Sequence, residues 1–430
     1  MSDIRKLSIF QLQEAHSQLL DRYQDYQSRN LKFDMTRGKP CTEQLDLSLG
    51  MLECLNGKHY LAEDGTDCRN YGLVDGIPEA KKLFSQYLEV EPDEIIIGGN
   101  SSLTLMHDAI MRAMMCGVGD NHVPWAKLPT KFLCPCPGYD RHFSILEYLN
   151  IEMIPVNLKE DGPDMDQIEK LVMRDETIKG IFCVPKYSNP TGITYSDKVV
   201  DRMAIMEAKA GDLRIFWDNA YNVHHLTDKP DRLKDILIAC KQAGHPDRVL
   251  IFGSTSKVTF AGAGVAFMAG SKKNMEIAKK QINLQTIGPD KISQLLHVRF
   301  LKDMNGIEAH MKKHAAILKP KFDLVQSILE KELGDKNVAE WSHPRGGYFI
   351  SLNTLEGCAK AVVDMADKAG VKLTPAGATF PYGKDPLDRN IRIAPSFPLL
   401  DEIRLTMYLV VICIQLVSIE KITRDIKAIG

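Results

Sequence analysis

The sequence lacks an excess of charge of either sign, and it lacks a long hydrophobic run. Its 430 residues include 54 basic and 56 acidic side chains, which give a formal net charge of −2. No strongly basic surface is implied, so we expect no nucleic-acid partner. The longest apolar run covers residues 407–414, well short of the about 20 residues that a membrane-spanning helix needs. We therefore expect a buried C-terminal helix there and no association with a membrane.

Features of secreted and metal-binding proteins are also missing. Residues 1–6 carry charges but no apolar segment of the kind found in signal peptides, so we expect a cytoplasmic protein whose ten cysteines are reduced thiols. Only Cys134 and Cys136 lie close together, and neither their spacing nor that of the twelve histidines is typical of metal ligands. We expect no metal site, and we interpret both cysteines as packing residues at the end of a strand.

What the sequence does contain is a regular alternation of short apolar runs and amphipathic helical segments. The apolar runs predict buried strands, and each is followed by a helical pattern. This order favours an α/β fold with a mostly parallel central sheet that is covered by helices. The predicted strands lie at residues 95–97, 131–134, 151–156, 181–184, 213–217 and 248–252.

The length of the chain and a change of pattern after about residue 305 predict two domains. A chain of 430 residues exceeds the about 250–300 residues at which a single hydrophobic core stops growing. Beyond residue 305, a long charged helix, short predicted strands and a final helix indicate a smaller α+β domain. We assign residues 49–308 to the large domain, and residues 1–48 and 309–430 to the small domain.

Polar side chains gather just after the predicted strands. In a parallel sheet the carboxyl ends of the strands share one edge, and ligands bind at that edge. We therefore expect one site that is built from side chains of several strands. Its candidate members are Ser101, Tyr139, Asn189, Asp218, Tyr221, Ser254 and Lys257.

Lys257 is the residue around which this candidate site is organised. It follows the strand at 248–252, behind three small hydroxyl residues. Partial burial there would ease the loss of its proton, as an amine nucleophile for a carbonyl cofactor requires. A lone lysine at a strand end is more often a solvated surface residue. The other polar residues at the strand ends are what favour the catalytic interpretation.

A phosphate group is the second ligand that the sequence suggests. The strand at 95–97 leads through the glycine- and serine-rich turn 98–102 into a helix. This geometry offers backbone N–H groups and the positive end of a helix dipole to an anion. The turn matches neither the Walker pattern nor the dinucleotide glycine pattern, so an ordinary strand-to-helix turn remains the alternative. The candidate phosphate ligands are the hydroxyls of Ser101, Ser102, Ser254 and Ser256.

Together these residues fit a cofactor with an aldehyde, a pyridine nitrogen and a phosphate. Lys257 would form a Schiff base with the aldehyde, and Asp218 would keep the ring nitrogen protonated so that the ring accepts electrons. Asn189 and Tyr221 would hydrogen-bond the ring hydroxyl oxygen, and Tyr139 would stack on the ring. The freed amine of Lys257 would then move a proton between the substrate α-carbon and the cofactor.

The order of these motifs resembles the fold type I pyridoxal-phosphate aminotransferases over nearly the whole chain. The specific combination is Asn-Pro-Thr-Gly at 189–192, Asp-x-x-Tyr at 218–221 and Ser-x-Ser-Lys at 254–257. The resemblance implies pyridoxal 5′-phosphate as cofactor and a homodimer with shared active sites. Gly38, Tyr71, Ser101, Ser102, Tyr139 and Arg392 follow the same family order, and segments 36–40, 69–72, 137–143 and 253–259 are similar to the divergent bacterial aspartate aminotransferase branch often called subgroup Ic.

Two family features concern the cofactor phosphate. The resemblance implies that Tyr71 reaches the phosphate of the partner subunit. Most family members also place a phosphate-binding arginine eight residues after the lysine, whereas that position is Val265 here. The divergent branch shares this departure, and the cation that balances the phosphate charge is left unassigned.

The resemblance further implies transfer of an amino group from an acidic amino acid, L-aspartate, to 2-oxoglutarate. Arg392 would clamp the substrate carboxylate with its planar guanidinium, beside Gly38 and Asn189. Arg37 and Arg141 are candidates for binding the side-chain carboxylate of the substrate.

Three alternatives are weighed against this interpretation. The enzyme could use another amino donor, or it could be a lyase on the same scaffold, since a lyase would also need Lys257 and Asp218. The third is a non-catalytic module of the kind that regulators fuse to a DNA-binding domain. It is disfavoured because the chain begins almost directly with an aminotransferase-like helix and is not basic. We expect His142 and His343 to be structural.

Overall fold

The computed structural model describes residues 3–55, 57–119 and 123–429. Its strands are β1 Phe33–Asp34, β2 Ile95–Ile97, β3 Lys131–Cys136, β4 Glu152–Lys159, β5 Gly162–Pro163, β6 Ile178–Cys183, β7 Arg214–Asp218, β8 Val249–Ser254, β9 Ala266–Gly270, β10 Ala339–Trp341, β11 Ile350–Thr354, β12 Val371–Lys372 and β13 Asn390–Ile393.

Helices follow most of these strands. They are α1 Ile9–Ser28, α2 Thr42–Asp46, α3 Pro78–Leu88, α4 Ser102–Cys116, α5 Asp140–Tyr148, α6 Met165–Val172, α7 Asp197–Ile205, α8 Ile236–Gln242, α9 Lys272–Gln285, α10 Lys291–Leu301, α11 Met304–Leu333, α12 Ala359–Lys368 and α13 Leu400–Ile429.

An eight-stranded sheet forms the centre of the fold, in the spatial order β2-β9-β8-β7-β6-β3-β4-β5. The strands from β8 through β7, β6 and β3 to β4 pair in parallel. Strands β2, β9 and β5 pair antiparallel at the two margins. The predicted α/β class with a mostly parallel sheet is confirmed, and the architecture is that of fold type I.

Both faces of this sheet are apolar because helices cover both of them. Every residue of β6 and β7 is buried. Successive side chains of a strand point to opposite faces, and so Ile215 and Trp217 join one hydrophobic cluster while Phe216 joins the other. The buried Cys134 and Cys136 at the end of β3 are free thiols, as the packing interpretation requires.

A third hydrophobic cluster joins the two ends of the chain. It contains Leu12 and Leu19 of α1 together with buried residues of α11, α12 and α13. Strand β1 also pairs in parallel with β12, with Phe33 opposite Val371. These contacts support the grouping of residues 1–48 with the C-terminal part, although position 308/309 falls inside α11. The domain boundaries stay a prediction.

Helix α13 contains the longest apolar run. By length and composition alone it could cross a membrane, but most of its apolar stretch is buried inside the protein. Val410, Val411 and Ile414 are fully buried and belong to the cluster that includes α1 and α11. The apolar surface of α13 is therefore covered by the rest of the fold, as expected of a core helix.

Candidate active site

A cavity of about 680 Å³ opens at the carboxyl ends of β3, β6, β7 and β8. The N-terminal loop around Gly38 and the segments that carry Phe349, Thr374 and Arg392 close its other side. Of the residues predicted for the site, those that line this cavity are Arg37, Gly38, Ser101, Ser102, Tyr139, Arg141, Asn189, Asp218, Tyr221, Ser254, Ser256, Lys257 and Arg392.

Asp218 ends β7 at the floor of the cavity and is only 3% exposed. One of its oxygens, Oδ2, lies 3.0 Å from Nε2 of His142. Its other oxygen, Oδ1, is buried and has no hydrogen-bond partner among the residues that the structure describes. A buried carboxylate oxygen without a partner is costly, so this atom is suited to accept a hydrogen bond from a protonated ring nitrogen of a ligand.

His142 contacts the candidate site, whereas the sequence led us to expect only a structural histidine. It lies on α5, where its ring stacks on Phe182 with centroids 4.2 Å apart and an interplanar angle of 9°. The stacking holds the imidazole against Asp218 and so fixes the carboxylate. The expectation of a merely structural histidine needs extension, because the hydrogen bond to Asp218 places His142 behind the candidate cofactor contact. Its position three residues after Tyr139 was the available signal.

Lys257 lies just beyond β8 and is half-buried. Burial lowers the pKa of its amine, and the negative charge of Asp218 opposes this shift. The Nζ atom lies 4.9 Å from the centre of the Tyr221 ring. The carbonyl oxygen of Lys257 is 3.2 Å from Nε2 of the buried His224, which anchors the backbone at the lysine. An amine with a lowered pKa is a competent nucleophile and proton carrier.

Hydroxyl groups converge on one end of the cavity. Ser101 is the N-cap of α4, where its hydroxyl accepts a hydrogen bond from the N–H of Thr104 at 3.4 Å. The hydroxyls of Ser254 and Ser256 lie 3.0 Å apart, and Ser256 also donates to the carbonyl oxygen of Asn100 at 3.3 Å. These hydroxyls and the N-terminus of a 15-residue helix are typical of a phosphate site.

The position of the missing arginine lies in the core rather than in this phosphate end. Val265 is 1% exposed, and its N–H donates to Oγ1 of Thr255 at 2.9 Å. An arginine side chain there would start from a packed apolar cluster. A phosphate bound here would be held by the helix N-terminus and the hydroxyls rather than by a side chain at position 265.

Arg392 of β13 is 5% exposed and faces the opposite end of the cavity. Its Nη1 donates to Oδ1 of Asp140 at 2.7 Å and to Oδ1 of Asn189 at 3.3 Å. Because the amide oxygen of Asn189 faces Arg392, its amide nitrogen is left to face the cavity. This orientation agrees with the predicted bond from Asn189 to a ring hydroxyl oxygen.

The ring of Phe349 supports the guanidinium of Arg392 from one face, with Cζ of Arg392 4.9 Å from the ring centre. The ring of Phe349 also explains why position 38 is a glycine. A Cβ atom at position 38 would lie 2.5 Å from Cζ of Phe349, so only glycine lets the N-terminal loop approach the cavity.

The two aromatic rings predicted to contact a cofactor are both in place. Burial raises the pKa of Tyr139 to about 12, and it raises the pKa of Tyr221 as well. Both phenols are therefore protonated at neutral pH and able to donate hydrogen bonds. Tyr139 lines the cavity, and its ring packs against that of His142 with centroids 4.9 Å apart and an interplanar angle of 73°.

Tyr71 is the predicted site residue that a single chain does not bring to the cavity. Its side chain is 80% exposed. The described residues that line the cavity do not include it. Its predicted role depends on a second subunit.

The donor set fits pyridoxal phosphate on three separate grounds. The unpartnered Oδ1 of Asp218 suits the ring nitrogen, the half-buried amine of Lys257 suits the aldehyde, and the hydroxyls at the N-terminus of α4 suit the phosphate. The cavity also brings an arginine to the side opposite the phosphate end, where a substrate carboxylate would bind.

Comparison with known proteins shows which enzymes the whole chain is similar to. The sequence profile of the aspartate amino-transferase family matches residues 7–425. An aspartate aminotransferase of Corynebacterium glutamicum is 43% identical over 419 residues, which are 97% of this chain and 96% of that protein. The crystal structure of an aspartate transaminase from the same organism superposes with a TM-score of 0.95 at 42% identity, and the match covers 98% and 99% of the two chains.

A more distant structure shares the fold. The α-aminoadipate aminotransferase LysN of Thermus thermophilus, complexed with N-(5′-phosphopyridoxyl)-L-leucine, superposes with a TM-score of 0.71 at 18% identity. The match covers 94% of this chain and 96% of that one.

Proposed function

Because the chain belongs to the aspartate amino-transferase family and is a pyridoxal-phosphate-dependent aminotransferase, we propose that it moves the amino group of L-aspartate to 2-oxoglutarate. The observation that carries the proposal is the meeting of Asp218, Lys257 and Arg392 in one cavity. The close relative named as an aspartate aminotransferase supports the choice of donor.

Asp218 and His142 hold the proton on the cofactor ring nitrogen in this proposal. When bound, pyridoxal phosphate supplies an aldehyde that condenses with amino groups and a protonated ring that accepts an electron pair. The unpartnered Oδ1 of Asp218 would accept a hydrogen bond from the ring N–H, while His142 holds that carboxylate through Oδ2. Asn189 and Tyr221 would donate to the ring hydroxyl oxygen.

Lys257 is the general base and acid. Its lowered pKa increases the fraction of neutral amine at neutral pH, and its Nζ removes a proton from the substrate α-carbon and later returns one. The backbone contact with His224 restrains the segment that carries this amine. We assign the phosphate to Ser101, Ser102, Ser254 and Ser256.

Arginines are the proposed ligands of both substrate carboxylates. Arg392 binds the α-carboxylate, with Gly38 giving the N-terminal loop its close approach. Arg37 and Arg141 line the same cavity and are the candidates for the second carboxylate of a dicarboxylic substrate. A lyase on this scaffold would share Lys257, but the relatives named as aminotransferases favour transfer.

We also propose that the enzyme is a homodimer of the cytoplasm, with Tyr71 reaching the phosphate of the partner subunit. Lys291 donates from Nζ to the carbonyl oxygen of Gly72 at 2.9 Å, and so ties the loop of Tyr71 to the start of α10. Large apolar side chains are exposed in the same region of the fold, around α10, as is typical of a subunit interface. They are Leu49, Leu52, Leu61, Leu284 and Ile287.

A donor series tests the proposed specificity. Rates of the first half-reaction are measured with L-aspartate, L-glutamate and L-alanine on the wild type and on Arg37→Ala and Arg141→Ala. We expect at least one variant to lose roughly 10- to 100-fold in kcat/KM for the dicarboxylic donors, since a charge-assisted contact to the second carboxylate is lost, while L-alanine is unaffected. The exposed Arg22 of α1 provides the control Arg22→Ala. Equal rates with L-alanine and L-aspartate in the wild type would contradict the specificity.

A further inference from the structure

Arg392, the proposed carboxylate ligand, is already paired with a carboxylate of its own chain. Oδ1 of Asp140 accepts from Nη1 of Arg392 at 2.7 Å, and this is the shortest hydrogen bond of the guanidinium. The Asp140 side chain is 32% exposed, whereas that of Arg392 is 5% exposed. The pair therefore joins a fixed, buried cation to a carboxylate that borders the cavity.

The remaining contacts of Arg392 show which edge of its guanidinium is available. Nε donates to Oγ1 of Thr374, and Nη2 donates to the carbonyl oxygen of Thr36, each at 3.4 Å. Thr374 itself donates to the carbonyl oxygen of Thr36 at 2.9 Å, so the edge formed by Nε and Nη2 is already occupied by contacts within the protein. A carboxylate binds a guanidinium best through two parallel N–H groups, and the edge that includes Nη1 is the one left for it.

That edge is where Asp140 lies, and both hydrogens of Nη1 are in use. They point to Oδ1 of Asp140 and to Oδ1 of Asn189. A substrate carboxylate placed beside Asp140 would put two negative charges on one guanidinium in a half-buried site, and like charges at such distances repel strongly.

We propose that the carboxylate of Asp140 is an internal stand-in for the substrate α-carboxylate. The substrate α-carboxylate competes with Asp140 for the same edge of Arg392 and displaces Asp140 on binding. The inference rests on the proposed role of Arg392 as carboxylate clamp. Asp140 is the first residue of α5. After displacement it stays at the positive end of the helix dipole, beside the exposed Arg141.

The competition has a functional consequence for every carboxylate ligand. The free energy needed to break the pair between Asp140 and Arg392 reduces the binding free energy of substrate and product alike. Asp140 therefore weakens the affinity for both and speeds the release of the 2-oxo acid product. It acts through Arg392 rather than on the reacting atoms, and so is a positioning residue.

The test measures how tightly the holoenzyme binds maleate, a dicarboxylate without an amino group. Asp140→Asn removes the negative charge at nearly constant size, and Asp140→Ala removes the contact. We expect both variants to lower the Kd of maleate by roughly fivefold to thirtyfold, measured by calorimetry. KM for L-aspartate is expected to fall with it, while the maximal rate of the first half-reaction stays within about twofold. Weaker maleate binding in both variants would overturn the proposal.

A matched control separates the specific contact from a general effect of charge. Glu147 lies on the same helix and lines the same cavity, but its described hydrogen bonds do not include one to Arg392. Glu147→Gln is expected to leave the Kd of maleate within about twofold. If Glu147→Gln tightened binding as much as Asp140→Asn, the stand-in role would be wrong.

Arg392→Lys distinguishes failure of this inference from failure of the proposed clamp. If the lysine variant binds maleate as the wild type does, Arg392 is not the ligand of the substrate carboxylate. The role assigned to Arg392 in the proposed function would then be wrong. If the lysine variant loses maleate binding and Asp140→Asn fails to tighten it, the clamp stands and only the role of Asp140 is overturned.

Discussion

The two carboxylate oxygens of Asp218 have different surroundings, since one contacts the protein and the other is available to a ligand in the cavity. His142 holds Oδ2 at 3.0 Å, and Oδ1 is buried with no hydrogen-bond partner in the described part of the chain. A neutral amide at this position could not keep a ring nitrogen protonated, so we expect Asp218→Asn to lower kcat by about 10²-fold or more. His142→Phe keeps the stacking on Phe182 but removes the hydrogen bond, and should cost about tenfold.

Steady-state kinetics on both variants check this expectation. Ser144→Ala, on the same helix as His142, is the control and should retain wild-type rates. A kcat for Asp218→Asn near that of the wild type would remove Asp218 from the cofactor site.

Two lysines with lowered pKa values lie near the carboxyl edge of the sheet, and only one is predicted to act. Burial lowers the pKa of Lys186 to about 8 and also lowers that of Lys257. Lys257 lines the cavity, whereas Lys186 is not among the described residues that do. We expect Lys257→Ala to abolish turnover and the covalent attachment of pyridoxal phosphate, and Lys186→Met to retain both.

Borohydride reduction followed by mass spectrometry of the peptides measures this attachment. The cofactor should be found on the peptide with Lys257 in the wild type and in Lys186→Met. Attachment at Lys186, or steady turnover by Lys257→Ala, would refute the assignment of the nucleophile.

Most candidate site residues were predictable because they lie at or just after the ends of sheet strands, and strand ends converge by a general rule. The partners of those residues were not. His142 and Asp218 are 76 positions apart, and Asp140 and Arg392 are 252 apart. Such pairs depend on how helices and a second domain pack, and no local pattern encodes them.

At the scale of elements, the turn from β8 toward β9 shows why an arginine does not fit at position 265. The N–H and carbonyl of Val265 both bond to Thr255, and the side chain is 1% exposed. An arginine there would bury an uncompensated charge, so we expect Val265→Arg to lower the free energy of unfolding by about 3–5 kcal/mol.

Denaturant unfolding of the cofactor-free protein measures that loss. Val265→Ile, a change of one methylene, is the control and should cost less than about 3 kcal/mol. Wild-type stability for Val265→Arg, together with tighter cofactor binding, would mean that the side chain reaches the phosphate and that this account of the position is wrong.

Element types were largely predictable from the sequence. The predicted strands at 95–97 and 213–217 lie within a residue of β2 and β7, and those at 181–184 and 248–252 overlap β6 and β8 with ends that differ by up to three residues. Burial on both faces makes such strands short uninterrupted apolar runs. Strands β1 and β5, each of two residues, carry no such signal, because their pairing is decided by the segments beside them.

At the scale of the whole molecule, the exposed apolar side chains around Tyr71 support a subunit interface. Leu284 is 90% exposed and Ile287 is 60% exposed near the end of α9. We expect Leu284→Glu combined with Ile287→Glu to shift the protein from dimer to monomer in sedimentation velocity, because buried charges oppose association. Activity should fall with the dimer if Tyr71 acts across the interface.

The matched control for this interface is Phe10→Glu. Phe10 on α1 is 76% exposed and lies in a different part of the chain. A dimer that survives the double substitution at α9 but dissociates with Phe10→Glu would move the interface to α1. A wild-type protein that sediments as a monomer would exclude the shared active site.

The most direct measurement on the central claim is the visible absorption spectrum of the purified holoenzyme before and after addition of L-aspartate alone. The account predicts that the yellow band is replaced by the shorter-wavelength band of the aminated cofactor, and that 2-oxoglutarate restores it. A yellow band that L-aspartate leaves unchanged would contradict the proposed donor. A protein that never turns yellow with added pyridoxal phosphate would contradict the assignment of Lys257 and Asp218.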